Sequence, residues 1–213
     1  GLSDLWPSTD PAAADGRVYF LALRKGDLSV LPVSTVWLVC LDGARGSLLW
    51  RRPLATQSVA LMTGPYSNYP YNQFDLAHYG NAVAVDRGAV YCQTTLGFVA
   101  RCDARDGVIE WTYAYPRVQL RWNIQSVVRR QGAAPVVSGE RVVFVPRDCA
   151  GAFALDAATG KLAWDSPFVP STEVVGQADG LLLTCDERTL AALDPATGLA
   201  AWHRDFPEGL LGR

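Results

Sequence analysis

Two histidines, His78 and His203, and five cysteines are the side chains of this 213-residue chain most ready for chemistry near neutral pH. In the stretch TGPYSNYPYNQFDLAHY, Asp75 stands three residues before His78, and a carboxylate beside an imidazole could share a proton as an acid–base pair. Loops bring such residues together often for no chemical purpose. Neither histidine lies in a metal-spaced or nucleophile motif, so no catalytic residue and no metal ligand is assigned. His203 follows Trp202 and reads as a solvated residue of an outer strand. Cys40, Cys92, Cys102, Cys149 and Cys185 are scattered singly, without a C-x-x-C pattern, and read as small apolar core residues. Cys92 and Cys102 flank the turn near Gly97 and could face each other in a hairpin disulfide, in a register that the sequence leaves open.

The residue types favour recognition over reaction. Tyr66, Tyr69, Tyr71 and His78 cluster in one stretch, and Arg117, Arg121 and Trp122 in another, PRVQLRWNIQSVVRR. Tyr, Trp and Arg are the types favoured at binding hot spots. With Asn68, Asn72 and Asn123 the aromatic rings could also stack on a sugar. The competing reading is that these rings pack the loops on themselves, since long ordered loops need their own cores.

A formal net charge of -2, from 19 basic and 21 acidic residues, gives no electrostatic reason to expect nucleic acid or an anionic membrane surface. No apolar run is long enough for a membrane span. With 49% hydrophobic residues, the chain can build a substantial core.

That core must be made of repeats. The frame Asp-x3-Gly-x3-Trp occurs four times: Asp42, Gly46 and Trp50; Asp103, Gly107 and Trp111; Asp156, Gly160 and Trp164; Asp194, Gly198 and Trp202. Around each frame lie short runs rich in Val, Tyr, Phe and Ile with turn residues between them, clearest in GNAVAVD, GAVYCQT, GFVARCD and GVIEWTYAY. Asp can accept backbone bonds within the turn, and Gly supplies the positive φ of a type I turn with a bulge. The turn fixes the hairpin register, so each Trp arrives at one place on the outermost strand. The four framed tryptophans are therefore expected to be buried between neighbouring units.

ALDAATGKLAW and ALDPATGLAAW resemble the repeat of the quinoprotein-like (PQQ-like repeat) β-propellers, whose blades carry a tryptophan-docking motif, Ala-x-Asp-x-x-Thr-Gly-x-x-x-Trp. The match is full at Ala154, Asp156, Thr159, Gly160 and Trp164 and at Ala192, Asp194, Thr197, Gly198 and Trp202; Arg45 and Asp106 replace the Thr in the first two copies. The resemblance implies an all-β propeller of four-stranded antiparallel blades, WD40-like in architecture. One branch of the family comprises dehydrogenases dependent on pyrroloquinoline quinone and calcium. Another comprises non-enzymatic scaffolds similar to the outer-membrane assembly lipoprotein. Long stretches also look like the very long repeat proteins of planctomycete-type bacteria, a likeness that names no activity. Adjacent cysteines and a calcium set, which the quinone branch implies, are missing here, and no residue is carried over as a quinone or calcium ligand.

The expected organisation is a single, partial propeller over 1–213, with blades at about 10–53, 80–115, 133–167 and 172–206 and insertions at 25–34, 54–79 and 112–132. In an up-and-down meander these insertions all fall at one end of the sheets, which is how repeat arrays build binding surfaces. The tail FPEGLLGR looks like the approach to another innermost strand, and a ring of six to eight blades is expected. The function expected is a non-catalytic binding scaffold without cofactor, in the cell envelope or periplasm. Its partners would be another protein, further blades of the same propeller, or a second copy that closes the ring. The alternatives are part of a quinone-dependent dehydrogenase, with pyrroloquinoline quinone and calcium, or a carbohydrate-binding or carbohydrate-acting propeller.

Overall fold

Short runs of Val, Leu, Tyr and Phe pair only with their neighbours in sequence, and the chain becomes a row of antiparallel meanders. The computed structural model describes residues 1–25, 33–58, 81–117, 133–149, 151–166, 173–186 and 188–209. Among the described residues seventeen strands form four sheets, and there is no helix. The first sheet holds β1 (Trp6–Pro7), β2 (Ala12–Ala14), β3 (Arg17–Lys25), β4 (Val33–Asp42) and β5 (Leu48–Ser58). Its innermost strand is split, because β1 and β2 both pair with β3. At the break, Ser8 N–H donates to Leu21 O and the Leu21 N–H to Thr9 Oγ1.

The second sheet is β6 (Ala82–Asp86), β7 (Ala89–Gln93), β8 (Phe98–Asp103) and β9 (Ile109–Ala114). The third is β10 (Val136–Ser138), β11 (Arg141–Phe144), β12 (Ala152–Asp156) and β13 (Leu162–Ser166). The fourth is β14 (Glu173–Ala178), β15 (Leu181–Cys185), β16 (Thr189–Leu193) and β17 (Ala200–Asp205). Strand β5 runs on to Ser58 and β9 to Ala114, into stretches that the sequence reads as links, because each continues to pair with its inner neighbour.

The four frames close their hairpins in the same way. The N–H of Gly46, Gly107, Gly160 and Gly198 donates to the carbonyl of its own Asp at 2.8 Å, and φ at these glycines is 65, 74, 69 and 73°. Each Asp carboxylate accepts one or two N–H groups inside the turn, from Arg45, Arg105, Thr159 or Ala196 among others. Thr159 and Thr197 add their hydroxyls to Asp156 and Asp194. A one-residue bulge follows in every hairpin, and each Trp ends opposite the residue two before its Asp: Cys40, Arg101, Ala154 and Ala192.

Charge stored in these turns makes stability depend on acid. A side-chain bond from Arg105 and the Arg105 N–H hold Asp103 at about 2, and the Thr159 hydroxyl and N–H lower Asp156. A carboxylate depressed in the folded state stabilises it above the ordinary value of about 4, and that contribution is lost as pH falls through the folded value. The urea midpoint is therefore expected to drop between about pH 4 and pH 2, and Asp103→Asn should flatten the drop. An unchanged profile in the variant would remove Asp103 from this account.

Side chains alternate along each strand, so every sheet has one face toward each neighbour. Tyr19, Leu21, Leu23, Val36 and Leu38 of the first sheet pack with Val90, Cys92, Ala100 and Cys102 of the second. The next residues over, Ala89, Tyr91 and Val99, pack with Val142, Phe144, Phe153 and Leu155 of the third. Val143, Ala154 and Trp164 then pack with Leu182 and Leu193 of the fourth. Four of the cysteines are buried, Cys149 is half-buried, and all five are free. Cys92 opposes Ala100 and Cys102 opposes Val90, so their thiols are diagonal neighbours; Cys102 and burial push the Cys92 thiol well up.

The first three framed Trp residues each lie on the Gly of the following sheet. A Cβ at Gly107 would stand 2.5 Å from Trp50 Cζ3, one at Gly160 2.6 Å from Trp111 Cδ2, and one at Gly198 2.5 Å from Trp164 Cδ2. Trp111 Nε1 donates to Ala157 O at 3.1 Å and Trp164 Nε1 to Pro195 O at 2.9 Å, each acceptor being the residue after the frame Asp. Burial of all four does not hold. Trp164 is 9% exposed, Trp50 and Trp111 are half-buried, and Trp202 is 44% exposed. The reason is positional: no described sheet follows the fourth to offer Trp202 a glycine.

Candidate functional site

The links between sheets leave and re-enter at one end of the array. Strand ends at Lys25, Ser58 and Ala114, and starts at Val33, Ala82 and Val136, all belong to it. The other end carries the short frame turns. Every buried polar or charged side chain among the described residues sits at the link end: Asn81, Gln93, Thr94, Thr95, Arg147, Asp148 and Thr184. Buried polar groups are retained where they find partners, and the side chains of Asn81, Gln93, Thr94 and Asp148 do, while the Thr184 hydroxyl has none among the described residues.

Gln93, fully buried, closes the second sheet on the third. Its Oε1 accepts the Val145 N–H at 3.0 Å, and its Nε2 donates to Ala133 O at 3.1 Å and Val145 O at 3.3 Å. It therefore holds the backbone where the chain re-enters after residues 118–132. Asn81 does the same after residues 59–80. Its Oδ1 accepts the Thr95 N–H at 3.0 Å, while its Nδ2 donates to Ser8 Oγ at 3.3 Å.

Where the chain leaves β9, Tyr115 and Arg117 meet Asp148 of the third sheet's link. The Tyr115 hydroxyl lies 2.5 Å from both Thr94 O and Asp148 Oδ1, and Arg117 Nε donates to Asp148 Oδ2 at 2.8 Å. Asp148 is 2% exposed and Arg117 47%. Burial first, and then the adjacent carboxylate, push the Tyr115 hydroxyl far up, so it stays a neutral donor. The Arg117 stem runs across Gly97, where a Cβ would stand 2.7 Å from Arg117 Cδ. Phe153 packs against the group, its ring tilted to those of Tyr113 and Tyr115 with centroids 5.4 and 5.5 Å away.

Of the residues expected on a binding face, Arg117 is the one that the structure places, at the stem of a link; Tyr66, Tyr69, Tyr71, His78, Arg121 and Trp122 lie outside the described residues. The twelve frame residues are at the opposite end and on the outer strands. Asn81, Gln93, Tyr115 and Asp148 were not singled out by sequence. Their one sequence signal is a polar residue at the close of an apolar run, as in VYCQTT, which exposed turn residues share.

The family model described as outer membrane protein assembly factor BamB matches residues 5–143 and 118–212. The chain belongs to this family. A quinoprotein ethanol dehydrogenase of Pseudomonas putida is 29% identical over 151 residues, which covers 61% of this chain and 23% of that enzyme. BamB from Moraxella catarrhalis superposes with a TM-score of 0.51 at 18% identity, covering 96% of this chain and 59% of that one. A quinohemoprotein alcohol dehydrogenase from Comamonas testosteroni gives 0.57 at 16% identity, covering 94% and 35%. At such identities these structures show the fold, an all-β propeller. The chain spans less than a quarter of the curated relative and about three-fifths of the BamB structure.

The names of two relatives raise a quinone cofactor. Among the described residues no three His, Cys, Asp or Glu side chains gather in a way that could hold a metal ion, and Arg117 and Tyr115 at the link end are both turned to Asp148. The described residues do not fit a quinone with its calcium, and no chemistry is routed through them.

Proposed function

We propose that this chain is a non-catalytic binding scaffold that presents its long links to a protein partner in the cell envelope. The observation that carries this reading is the placement of the buried hydrogen bonds. Asn81, Gln93 and Asp148 fix the backbone beside residues 59–80 and 118–132, so the links spring from rigid stems. Rigid elements under long loops are how a scaffold holds a recognition surface in register. The family described as an outer membrane protein assembly factor supports both the scaffold role and the envelope. The second reading, part of a quinone-dependent dehydrogenase, has the 29% identity to the Pseudomonas enzyme in its favour.

A photoreactive residue at exposed Pro116, beside the third link, is expected to cross-link the chain to protein in cells. The same group at exposed Lys161, in a frame turn at the opposite end, should give none. Equal adducts from both positions, or none from Pro116, would overturn the scaffold reading. Dye-linked alcohol oxidation by the purified chain with pyrroloquinoline quinone and calcium would replace it with the second.

A further inference from the structure

We propose that the seam between the second and third sheets holds, at its frame-turn end, a binding site for one neutral sugar ring of pyranose size. The site is a cleft of about 300 Å3, with Tyr91 and Arg101 of the second sheet on one wall and Glu140, Asp156 and Ala158 of the third on the other. It lies at the end of the array away from the links, so it stands or falls apart from the scaffold reading.

The first seam shows how the same positions look when they serve packing alone. There the Tyr19 hydroxyl donates to Ala104 O at 3.0 Å, and Arg17 reaches across beside it, its Nη1 donating to Ala104 O at 2.9 Å and to Arg105 O at 3.1 Å. In the second sheet these two register positions are Tyr91 and Ala89. Alanine cannot span the seam. Ala157 follows Asp156 as Ala104 follows Asp103, but its carbonyl accepts the Trp111 indole N–H at 3.1 Å. The Tyr91 hydroxyl is left with no hydrogen-bond partner among the described residues, although Tyr91 is only 3% exposed and lines the cleft. Buried hydroxyls are almost always bonded, so one that faces a cleft points to what enters it. Burial raises its pKa, and the charges that it feels are those of Arg101, Asp86, Arg87 and Glu110, which places the oxygen among the groups around the cleft as a neutral donor.

Those charges select the ligand. Arg87 Nε donates to Asp86 Oδ2 at 2.8 Å and its Nη2 to Gly139 O at 2.9 Å, while Arg101 Nε pairs with Glu110 Oε2 at 3.0 Å and its Nη1 donates to Ala158 O at 3.4 Å. Each guanidinium is fixed by two contacts and keeps a terminal nitrogen for a ligand. An anion in the cleft would meet Asp86, Glu140 and Asp156, and a cation would meet Arg87 and Arg101. Hydroxyl groups suit both signs, because each can donate to a carboxylate and accept from a guanidinium or from Tyr91. At about 30 Å3 for each water-sized group, the cleft takes about ten of them, which is close to a single pyranose with its hydroxyls.

The test is amide chemical-shift mapping of the purified 213-residue chain with D-glucose, D-galactose, D-mannose and N-acetyl-D-glucosamine, each also as its methyl glycoside. The two forms separate a free sugar from the end of a glycan, and binding of either supports the site. Malonate and ethylamine serve as the anion and the cation. At least one sugar is expected to bind saturably and to shift the amides of Gly139, Ala157 and Ala158. Tyr91→Phe should weaken that sugar about fivefold and Arg101→Met about tenfold, and Tyr19→Phe should leave it unchanged. Urea titration without sugar separates recognition from packing: Tyr19→Phe should lower the midpoint, since it loses the bond to Ala104 O, and Tyr91→Phe should not. No binding by any sugar, shifts confined to other residues, or tighter binding of malonate or ethylamine would overturn the proposal. So would a sugar affinity unmoved by Tyr91→Phe, or a midpoint that falls as far with Tyr91→Phe as with Tyr19→Phe.

Discussion

Trp164→Ala is expected to cost about 3–5 kcal/mol in the free energy of unfolding, the range for truncating a buried aromatic. Trp164 is 9% exposed, its indole lies against Gly198, and its Nε1 donates to Pro195 O at 2.9 Å. Truncation opens a cavity between the third and fourth sheets beside Leu182 and Leu193 and leaves a carbonyl unpaired. Trp164→Phe retains most of the apolar area and loses the bond, which is worth about 1 kcal/mol, so it should recover most of the loss. Urea denaturation of the three proteins checks both figures. A loss below about 1 kcal/mol for the alanine variant would mean that the seam does not depend on its tryptophan.

Gly198→Ala separates the shape of the seam from the strain of the turn. Gly198 has φ 73° and an added Cβ would lie 2.5 Å from Trp164 Cδ2; Gly88 has φ 76° and nothing within 4 Å. Alanine at either position meets the left-handed backbone, at a cost of about 1 kcal/mol or more. At Gly198 it must also displace an indole held by the fourth sheet, which adds about 1–3 kcal/mol of overpacking. Gly198→Ala is therefore expected to be the more destabilising by about 1–3 kcal/mol in paired urea titrations. Equal losses would show that the glycine serves the turn alone.

The repeated frames were legible because three residue types at fixed spacing dictate one hairpin, and the structure forms it four times. The exposure of Trp202 was not legible, since burial of an outer-strand Trp is decided by the sheet that follows and not by the strand that bears it. The split of β1 from β2 at Ser8 and Thr9 was hidden for a similar reason: DPAAADG reads as one strand, and only the pairing of Trp6 with Leu23 shows the rest of the edge. At the link end, Gln93 and Asp148 look in sequence like the solvated polar residues of any turn. What buries them is the neighbouring sheet, brought in from some fifty residues away in the case of Gln93 and Val145.

The forward lean of each tryptophan gives the row a direction in time. A ribosome releases the first sheet before the second, and Trp50 has no seat until Gly107 has been made; the same holds for Trp111 until Gly160 and for Trp164 until Gly198. At about 5–20 residues per second, each finished meander waits several seconds with its outer ring bare. Each of the first three sheets is thus completed by its successor, and the nascent chain carries one unsatisfied aromatic edge forward as it grows, the edge most open to chaperones or to mispairing with another nascent copy.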